Sequence, residues 1–339
     1  MTIWKMGKIL SDNDRYEAHR IAAIVPCYNE EQTVAKVVRD LKAAVPSMEV
    51  YVYDNNSSDE TVRVAREAGA IVRSESRKGK GNVIRRAFAD IDADIYVTID
   101  GDDTYEAADL PRMIGTLLSG PYDHVLGVRK DSSETGSYRP GHEMGNRMFN
   151  RLVSFLFHSQ VSDMLSGYRV FSRRFVKSFP AISKEFEIET ELTVHMMALR
   201  LPQVEEKVGF RDRPAGSESK LNTYSDGLKI LNVIFQLVRN ERPNLFHGVV
   251  TILACALSLI LGLPVVFEFF ETGLVPRLPT AILSAALMGM AVLVSSVGVL
   301  LSGVRRARRE AARLAYLRLD PPAHVPAEDT MFYRIGQSS

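Results

Sequence analysis

Two long apolar stretches near the carboxyl end constrain the fold of this chain more than any other feature. Residues 248–267 carry no charge, and neither do residues 280–304. A helical stretch of about 20 such residues is long enough to cross the hydrocarbon core of a bilayer. The segment between them, Glu268 to Pro279, is short. The pattern predicts a transmembrane helical hairpin, and a buried hairpin in a soluble protein is the alternative.

Arginines beside these stretches predict how the hairpin is oriented. Arg239 and Arg242 precede the first stretch, four arginines follow the second between positions 305 and 309, and the connecting loop has only Arg277. Because positively charged flanks stay on the cytoplasmic side, we expect a multi-pass protein of the cytoplasmic (inner) membrane with both termini cytoplasmic. The first 20 residues are mostly polar and charged, so no signal peptide is predicted.

Before residue 246 the chain alternates short apolar runs with stretches of helical spacing. The predicted strands are 20–26, 49–53, 70–73 and 95–99. The predicted helices between them are 31–45, 60–68 and a third that Gly79-Lys80-Gly81 opens and that runs to about residue 90. Strands that alternate with helices indicate an α/β fold with a mostly parallel, Rossmann-like sheet. The polar loops after the strands are then expected to meet at one edge of that sheet, where open α/β sheets bind ligands.

The predicted strand Ile95–Ile99 ends abruptly in three acids, Asp100, Asp102 and Asp103. Like charges a few ångströms apart repel each other unless a cation shares the charge. Gly101 lets the backbone turn sharply between them. The simplest interpretation is a site for Mg²⁺ or Mn²⁺ that holds a phosphate, and a solvated acidic loop is the alternative.

Two further polar segments are predicted at the same edge. Asp54–Asp59 offers groups that can hydrogen-bond a base or ribose, although an Asx-rich turn that caps the next helix fits equally well. Gly79-Lys80-Gly81 places a cation and backbone N–H groups at a helix N-terminus, which suits an anion. The spacing is not that of a P-loop.

Composition excludes some classes of function. The net charge of +1 gives no overall field that would attract nucleic acid. The two cysteines, Cys27 and Cys255, are too few for a disulfide framework.

The ordered motifs resemble those of family 2 glycosyltransferases, and in particular the polyprenyl-phosphate (dolichol-phosphate mannose synthase-like) branch. The resemblance covers roughly residues 20–235. The matching segments are Val25–Glu31, Asp54–Asp59, Lys78–Asn82, Asp100–Asp102, Ser166–Arg169, Glu185–Glu191 and Gly216–Leu221.

This resemblance implies a GT-A fold and an inverting, metal-dependent transfer from a nucleotide-diphosphate sugar, UDP- or GDP-linked. Asp100 and Asp102 would bind the metal and the diphosphate, with Asp102 central to catalysis. Two departures from the family pattern bear on the donor and the metal: Asn55 replaces a frequent Asp, and Thr104 stands where relatives can offer a Gln. The residues implied for the nucleotide-sugar pocket are Pro26, Tyr28, Glu30, Asp54, Asn56, Lys80, Asp100, Arg213 and Lys220.

The resemblance also implies how an acceptor phosphate would be bound. Arg129 would orient and bind it, together with Ser166 and one later arginine, Arg139 or Arg147. A phosphate monoester is already anionic at neutral pH, so it mainly needs cations rather than a general base. Asp163 and Glu189 fit either sugar contacts or structural ion pairs.

The predicted organisation follows from these patterns. It comprises an N-terminal extension (1–19), a cytoplasmic catalytic domain (20–222), an interfacial amphipathic helix (223–245), the hairpin (246–304) and a cytoplasmic tail (305–339). An ordinary core helix is the alternative for 223–245, since the spacing is the same. The expected partners are the nucleotide sugar, a polyprenyl phosphate lipid and the membrane, and a homo-oligomer is left open. The functional alternatives are transfer to a hydroxyl of a glycolipid or polysaccharide and a non-catalytic nucleotide-sugar-binding scaffold.

Overall fold

A computed structural model of the chain describes residues 18–129, 162–181, 188–211 and 243–321. These residues fall into two compact units. The first unit comprises the described parts of Met1–Arg139, Ser159–Ser219 and Ala312–Ser339, and the second comprises the described part of Lys220–Ala311.

The first unit alternates strands with helices. Its strands are β1 (Ile21–Cys27), β2 (Glu49–Asp54), β3 (Ile71–Ser74), β4 (Ile95–Thr98), β5 (His124–Arg129), β6 (Arg169–Ser172) and β7 (Gln203–Val208). Its helices are α1 (Val34–Ala44), α2 (Thr61–Glu67), α3 (Lys80–Asp90), α4 (Leu110–Ser119), α5 (Arg173–Ser178) and α6 (Ile188–Leu199). A 3₁₀ turn, Ala107–Asp109, precedes α4.

Within the described residues the strands form one sheet in the order β3-β2-β1-β4-β6-β5-β7. Neighbouring strands are parallel except at β6, which is antiparallel to both β4 and β5. Strands β1, β2, β4 and β5 therefore end at the same edge of the sheet, and β6 begins there. The predicted α/β fold with a mostly parallel sheet is confirmed.

Helix α1 illustrates how the sequence pattern produces the packing. Val34, Val37, Val38 and Leu41 recur at helical spacing, and all are buried. Burying each such side chain is worth about 1.5–3 kcal/mol. Every residue of β4 is buried as well, which is typical of a strand covered on both faces.

The start of helix α1 differs from the predicted start for an identifiable reason. Helix α1 begins at Val34 rather than Glu31 because the turn before it is tied to the start of α2. The backbone N–H of Glu30 donates to Thr61 Oγ1 at 2.8 Å, and that of Glu31 donates to Asp59 Oδ2 at 3.1 Å. Helix α3 begins directly after Gly79, whose φ of 118° lies in the region that favours glycine.

The second unit holds helix α7 (Pro243–Thr272) and the part of helix α8 (Leu278–Leu317) that precedes residue 312. By length and composition both helices can cross a membrane, and only 11% of each apolar window is buried. Ser258 Oγ donates to the Ser284 carbonyl at 2.8 Å, so the helices pair through a small polar contact. The predicted hairpin is confirmed as a pair of apolar helices, and both continue beyond the predicted stretches.

Candidate active site

The loops that follow β1 and β2 are joined to each other at the sheet edge. The backbone N–H of Asn29 donates to Ser57 Oγ at 2.9 Å, and the backbone N–H of Ser58 donates to Asn29 Oδ1 at 2.8 Å. Asn29 adopts a φ of 55°, in the left-handed region that Asn tolerates better than most residues. These contacts hold the two loops that carry several predicted nucleotide-binding residues in a fixed relation.

The predicted nucleotide-binding residues of these loops lie on adjacent strand ends. Pro26 lies in β1 and pairs in register with Tyr53 of β2. Tyr28 is exposed, with the ammonium of Lys78 5.8 Å from its ring centroid. Asp54 is buried and accepts a hydrogen bond from the Ser57 backbone N–H at 3.3 Å. The exposed ring of Tyr28 and the buried carboxylate of Asp54, at the ends of adjacent strands, suit a nucleoside, which offers a face for stacking and polar edges for hydrogen bonds.

Asn55 holds the segment that leads to Lys80. Its amide nitrogen donates to the carbonyls of Glu75 and Arg77 at 2.9 and 2.8 Å, and its oxygen accepts from the Gly79 backbone N–H at 2.7 Å. A carboxylate could accept but could not make the two donations. The Asn at this position therefore has a structural role.

Asn56 supports the same segment from the neighbouring position. Its amide nitrogen donates to the carbonyls of Glu75 and Ser76 at 3.3 and 3.0 Å, and its backbone has a φ of 68°. Both contacts direct the Asn56 amide toward backbone groups.

The two acids predicted to bind metal lie directly after β4. Asp102 is buried, and its Oδ1 accepts from the Thr104 hydroxyl at 2.7 Å and the Thr104 backbone N–H at 3.2 Å. Thr104 thus orients Asp102. A Cβ on Gly101 would lie 2.6 Å from Cys27 Sγ, so only glycine allows this turn to approach β1 so closely.

Asp103 points to a different partner. Its carboxylate pairs with the ammonium of Lys36 on α1 at 2.6 Å, and its backbone has a φ of 57°. The third acid of the cluster thus joins the acidic turn to a helix.

Asp100 and Asp102 have the donor chemistry that a hard divalent cation requires, namely carboxylate oxygens, and only Gly101 separates them in the sequence. Within the described residues no group of three or more His, Cys, Asp or Glu side chains is arranged to hold a metal ion. Two carboxylates supply only some of the oxygen ligands that such an ion takes.

Lys80 contacts two buried or half-buried carboxylates. Its ammonium pairs with Asp100 Oδ1 and with Glu189 Oε1, the latter at 2.6 Å. Burial disfavours the charged form of Lys80, but Asp100 and Glu189 outweigh it and raise its pKa above the ordinary value. A narrow cleft beside this group is lined by Thr98 and Gly167, among others.

Arg129, at the end of β5, forms a two-point ion pair with Asp163. Its Nε and Nη2 donate to Oδ2 and Oδ1 at 2.7 and 2.8 Å, and its guanidinium lies 5.3 Å from the ring centroid of Phe210. The Arg129 side chain is 22% exposed, whereas that of Asp163 is 7% exposed. Asp163 and the ring thus fix the plane of a guanidinium that solvent can still reach.

Ser166 lies in the interior of the segment before β6. Its hydroxyl lies 3.4 Å from Tyr105 Oη and accepts from the Tyr168 backbone N–H at 3.3 Å. Burial raises the pKa of Tyr105 to about 12, so its phenol stays protonated at neutral pH. The predicted contact of Ser166 with an acceptor phosphate remains a prediction.

Sequence reasoning missed the role of Arg169, which is fully buried at the start of β6. It donates to the carbonyls of Ser166 and Met164 at 2.8 and 2.6 Å, and to Thr193 Oγ1 at 2.9 Å. Burial lowers its pKa to about 10, which leaves it charged at neutral pH. The available signal was its place in the Ser166–Arg169 motif, and its function is to clamp the segment before β6 against α6.

Four predicted site residues and positions 223–242 of the predicted amphipathic helix lie outside the described residues, and positions 243–245 belong to α7. The residues are Arg139, Arg147, Arg213 and Lys220.

The sheet order and the acidic turn after β4 define a GT-A fold. A solved structure of glucosyl-3-phosphoglycerate synthase from Mycobacterium tuberculosis, in complex with Mn²⁺, uridine-diphosphate and phosphoglyceric acid, shares this fold. It superposes with a TM-score of 0.56 at 23% identity, over 69% of this chain and 84% of that one.

The family model described as glycosyl transferase family 2 matches residues 22–179. Glycosyltransferase AglJ of Haloferax volcanii is 34% identical over 250 residues, which span 74% of this chain and 82% of the relative. The chain belongs to the family 2 glycosyltransferases and is a glycosyltransferase enzyme.

Two further relatives carry names that refer to lipid phosphates. The dolichyl-phosphate hexose transferase of Haloferax volcanii is 28% identical, over 68% of this chain and 99% of the relative. The undecaprenyl-phosphate 4-deoxy-4-formamido-L-arabinose transferase of an Enterobacter strain is 24% identical, over 72% of this chain and 76% of the relative. The predicted resemblance to the polyprenyl-phosphate branch is confirmed.

Proposed function

We propose that this chain is a membrane-anchored, inverting glycosyltransferase that moves one sugar from a nucleotide-diphosphate sugar to a polyprenyl phosphate with the help of Mg²⁺ or Mn²⁺. One observation carries the proposal. The guanidinium of Arg129, whose side chain is 22% exposed, lies at the same sheet edge as the Asp100–Asp102 turn, because β4 and β5 run in the same direction. This edge therefore offers a cation for an acceptor phosphate and carboxylates for a metal-bound donor.

The donor half uses the loops after β1, β2 and β4. Tyr28, Glu30 and Asp54 bind the nucleoside, and Asn55 holds the segment from which Lys80 projects. Asp100 and Asp102 hold the divalent ion, which when bound stabilises the negative charge that develops on the leaving diphosphate.

The acceptor half relies on Arg129. A planar guanidinium can donate two parallel hydrogen bonds to the oxygens of a phosphate, and Asp163 holds the guanidinium of Arg129 in one orientation. The phosphate oxygen that attacks the sugar is already anionic, so no side chain needs to remove a proton from it. Arg129 and the later arginines then contribute by orienting that oxygen.

The proposed membrane anchoring rests on helices α7 and α8. Both are long and apolar enough to cross a bilayer, and arginines cluster just before and after the apolar stretches. This charge pattern favours an inner-membrane hairpin with the catalytic unit on the cytoplasmic side. A long-chain lipid phosphate would then reach the enzyme without leaving the membrane.

The test is an assay with the purified full chain in detergent. The chain is incubated with Mn²⁺, a polyprenyl phosphate and a panel of UDP- and GDP-sugars, and lipid products are analysed by mass spectrometry and mild acid hydrolysis. An acid-labile glycosyl phospholipid with at least one donor is expected, and Asp102→Ala should abolish it. Absence of product with every donor would refute the proposal, and an acid-stable glycoside would favour a hydroxyl acceptor.

A further inference from the structure

Lys80 already supplies a positive charge to the predicted metal site. Its ammonium contacts Asp100 Oδ1 and Glu189 Oε1, the second at 2.6 Å. The side chains of Lys80 and Glu189 are only 13% and 7% exposed, so water does little to stabilise either charge. Asp100, one of the two acids predicted to bind metal, therefore already has a counter-cation within the chain, which it shares with Glu189.

The carboxylate of Asp100 has little room to move away from Lys80. A Cβ on Gly167 would lie 2.6 Å from Asp100 Oδ2, so this oxygen packs against the backbone of residue 167. That backbone is held on both sides, because Thr98 Oγ1 donates to the Gly167 carbonyl at 3.0 Å and the Gly167 N–H donates to Tyr105 Oη at 3.1 Å. Asp100 is thus confined between a glycine on one side and an ammonium on the other.

Asp102 is held by neutral donors from Thr104. The Oδ1 atom of Asp102 accepts from the neutral hydroxyl and backbone N–H of Thr104. These neutral donors orient the Asp102 carboxylate and themselves bring no positive charge to it.

We propose that Lys80 is the resident counter-cation of Asp100 and that a divalent ion must displace its ammonium to bind there. Glu189 keeps the displaced ammonium within the site, so a cation becomes available beside the donor phosphates only after the metal has bound. In this way Lys80 is a positioning residue that couples metal binding to donor binding. The inference rests on the metal role proposed for Asp100 and Asp102.

Lys36 provides a matched control within the same acidic turn. Its ammonium pairs with Asp103 at 2.6 Å, but its side chain is 46% exposed. A solvent-exposed pair of this kind contributes little and is screened by salt. Removing the Lys36 charge therefore measures how the loss of one nearby cation changes Mn²⁺ affinity. Removing the Lys80 charge also removes the ammonium that competes with Mn²⁺ for Asp100.

The experiment measures Mn²⁺ binding to the full chain in detergent, without donor or acceptor, from the electron paramagnetic resonance signal of free Mn²⁺. Lys80→Met is expected to lower the Kd for Mn²⁺ by about tenfold, because a unit charge a few ångströms from a divalent ion is lost. Lys80→Arg, which keeps the charge, should give no gain, and Lys36→Met should change the Kd by roughly threefold at most. A Lys80→Met protein that binds Mn²⁺ as weakly as the wild type, or more weakly, would overturn the inference.

A second measurement uses the unaltered chain and so does not depend on how the variants fold. Amines are acylated with an N-hydroxysuccinimide ester with and without saturating Mn²⁺, and the modified lysines are quantified by mass spectrometry. Acylation of Lys80 should rise several-fold with Mn²⁺, while that of Lys36 stays constant. If Mn²⁺ left the acylation of Lys80 unchanged, the proposed exchange of the Lys80 ammonium for Mn²⁺ at Asp100 would be wrong.

These results separate the inference from the proposed function. A chain in which Mn²⁺ displaces the Lys80 ammonium from Asp100 but which makes no glycosyl phospholipid would refute the proposed function and leave the displacement standing. A chain that makes the product while Lys80→Met binds Mn²⁺ no better would refute only the exchange.

Discussion

Gly167→Ala should disable the enzyme by moving one carboxylate. The added Cβ would lie 2.6 Å from Asp100 Oδ2 and 3.0 Å from Asp100 Cγ, whereas comfortable contacts need about 3.5 Å. The backbone of residue 167 is hydrogen-bonded on both sides, so the Asp100 side chain must yield by about 1 Å. A misplacement of about 1 Å in a catalytic constellation costs on the order of 100-fold in rate.

The assay compares kcat/KM for the nucleotide sugar in wild type and Gly167→Ala, with circular dichroism as a check on folding. The overpacked variant should also lose about 1–3 kcal/mol of unfolding free energy. Gly115→Ala is the matched control, because a Cβ there meets nothing within 4 Å. It lies inside α4 and should be neutral or stabilising by about 0.5–1 kcal/mol. If Gly167→Ala kept roughly a third or more of wild-type kcat/KM, the idea that Gly167 positions Asp100 would be wrong.

Three further perturbations test other parts of the site and its support. Asn55→Asp removes two hydrogen bonds to backbone carbonyls in the 75–77 segment, so the free energy of unfolding should fall by about 1–3 kcal/mol in chemical denaturation. Nucleotide binding measured by calorimetry should also weaken, and unchanged stability would exclude the proposed structural role. His195 is buried, which lowers its pKa to about 4, so the unfolded chain binds the extra proton first and stability falls as the pH drops from about 6.5 toward 4. By pH 5 protonation of this histidine in the unfolded chain should lower the free energy of unfolding by about 2 kcal/mol, and His195→Phe should flatten that part of the pH profile of thermal unfolding. An identical profile would refute the lowered pKa of His195. Arg129→Lys breaks the two-point contact with Asp163 and should raise KM for polyprenyl phosphate about tenfold while leaving KM for the nucleotide sugar unchanged; an equal rise in both would argue against an acceptor role.

The sequence was sufficient to predict the sheet edge because that prediction needs only local patterns. Asp54 and Asp100 each follow an apolar run, and the alternation with helices makes those runs parallel, so their ends must meet. The antiparallel direction of β6 had no such signal, since its four residues are as fully buried as those of the neighbouring strand β4.

Roles that depend on distant partners could not be predicted in the same way. Asn55 was noted as a departure from the family pattern, but its carbonyl partners lie 20 and 22 residues away. Arg169 was visible in a motif, yet its partners are backbone carbonyls and a threonine 24 residues further along the chain. Asp103 had no assignable role until its contact with Lys36 was seen. Pattern reasoning predicts where an element ends and leaves open which side chains support it.

The reversed direction of β6 has a consequence for how enzymes of this architecture can diversify. Strand β5 ends at Arg129 and its neighbour β6 begins at Arg169, so the chain between them leaves the sheet and returns to it at the edge that carries the site. Lengthening a connection between fixed ends costs little free energy, because each doubling of its length adds only about 0.6 kcal/mol of closure entropy. The chain length between these two arginines can therefore vary at the edge that carries the site, while the strands of the sheet keep their register.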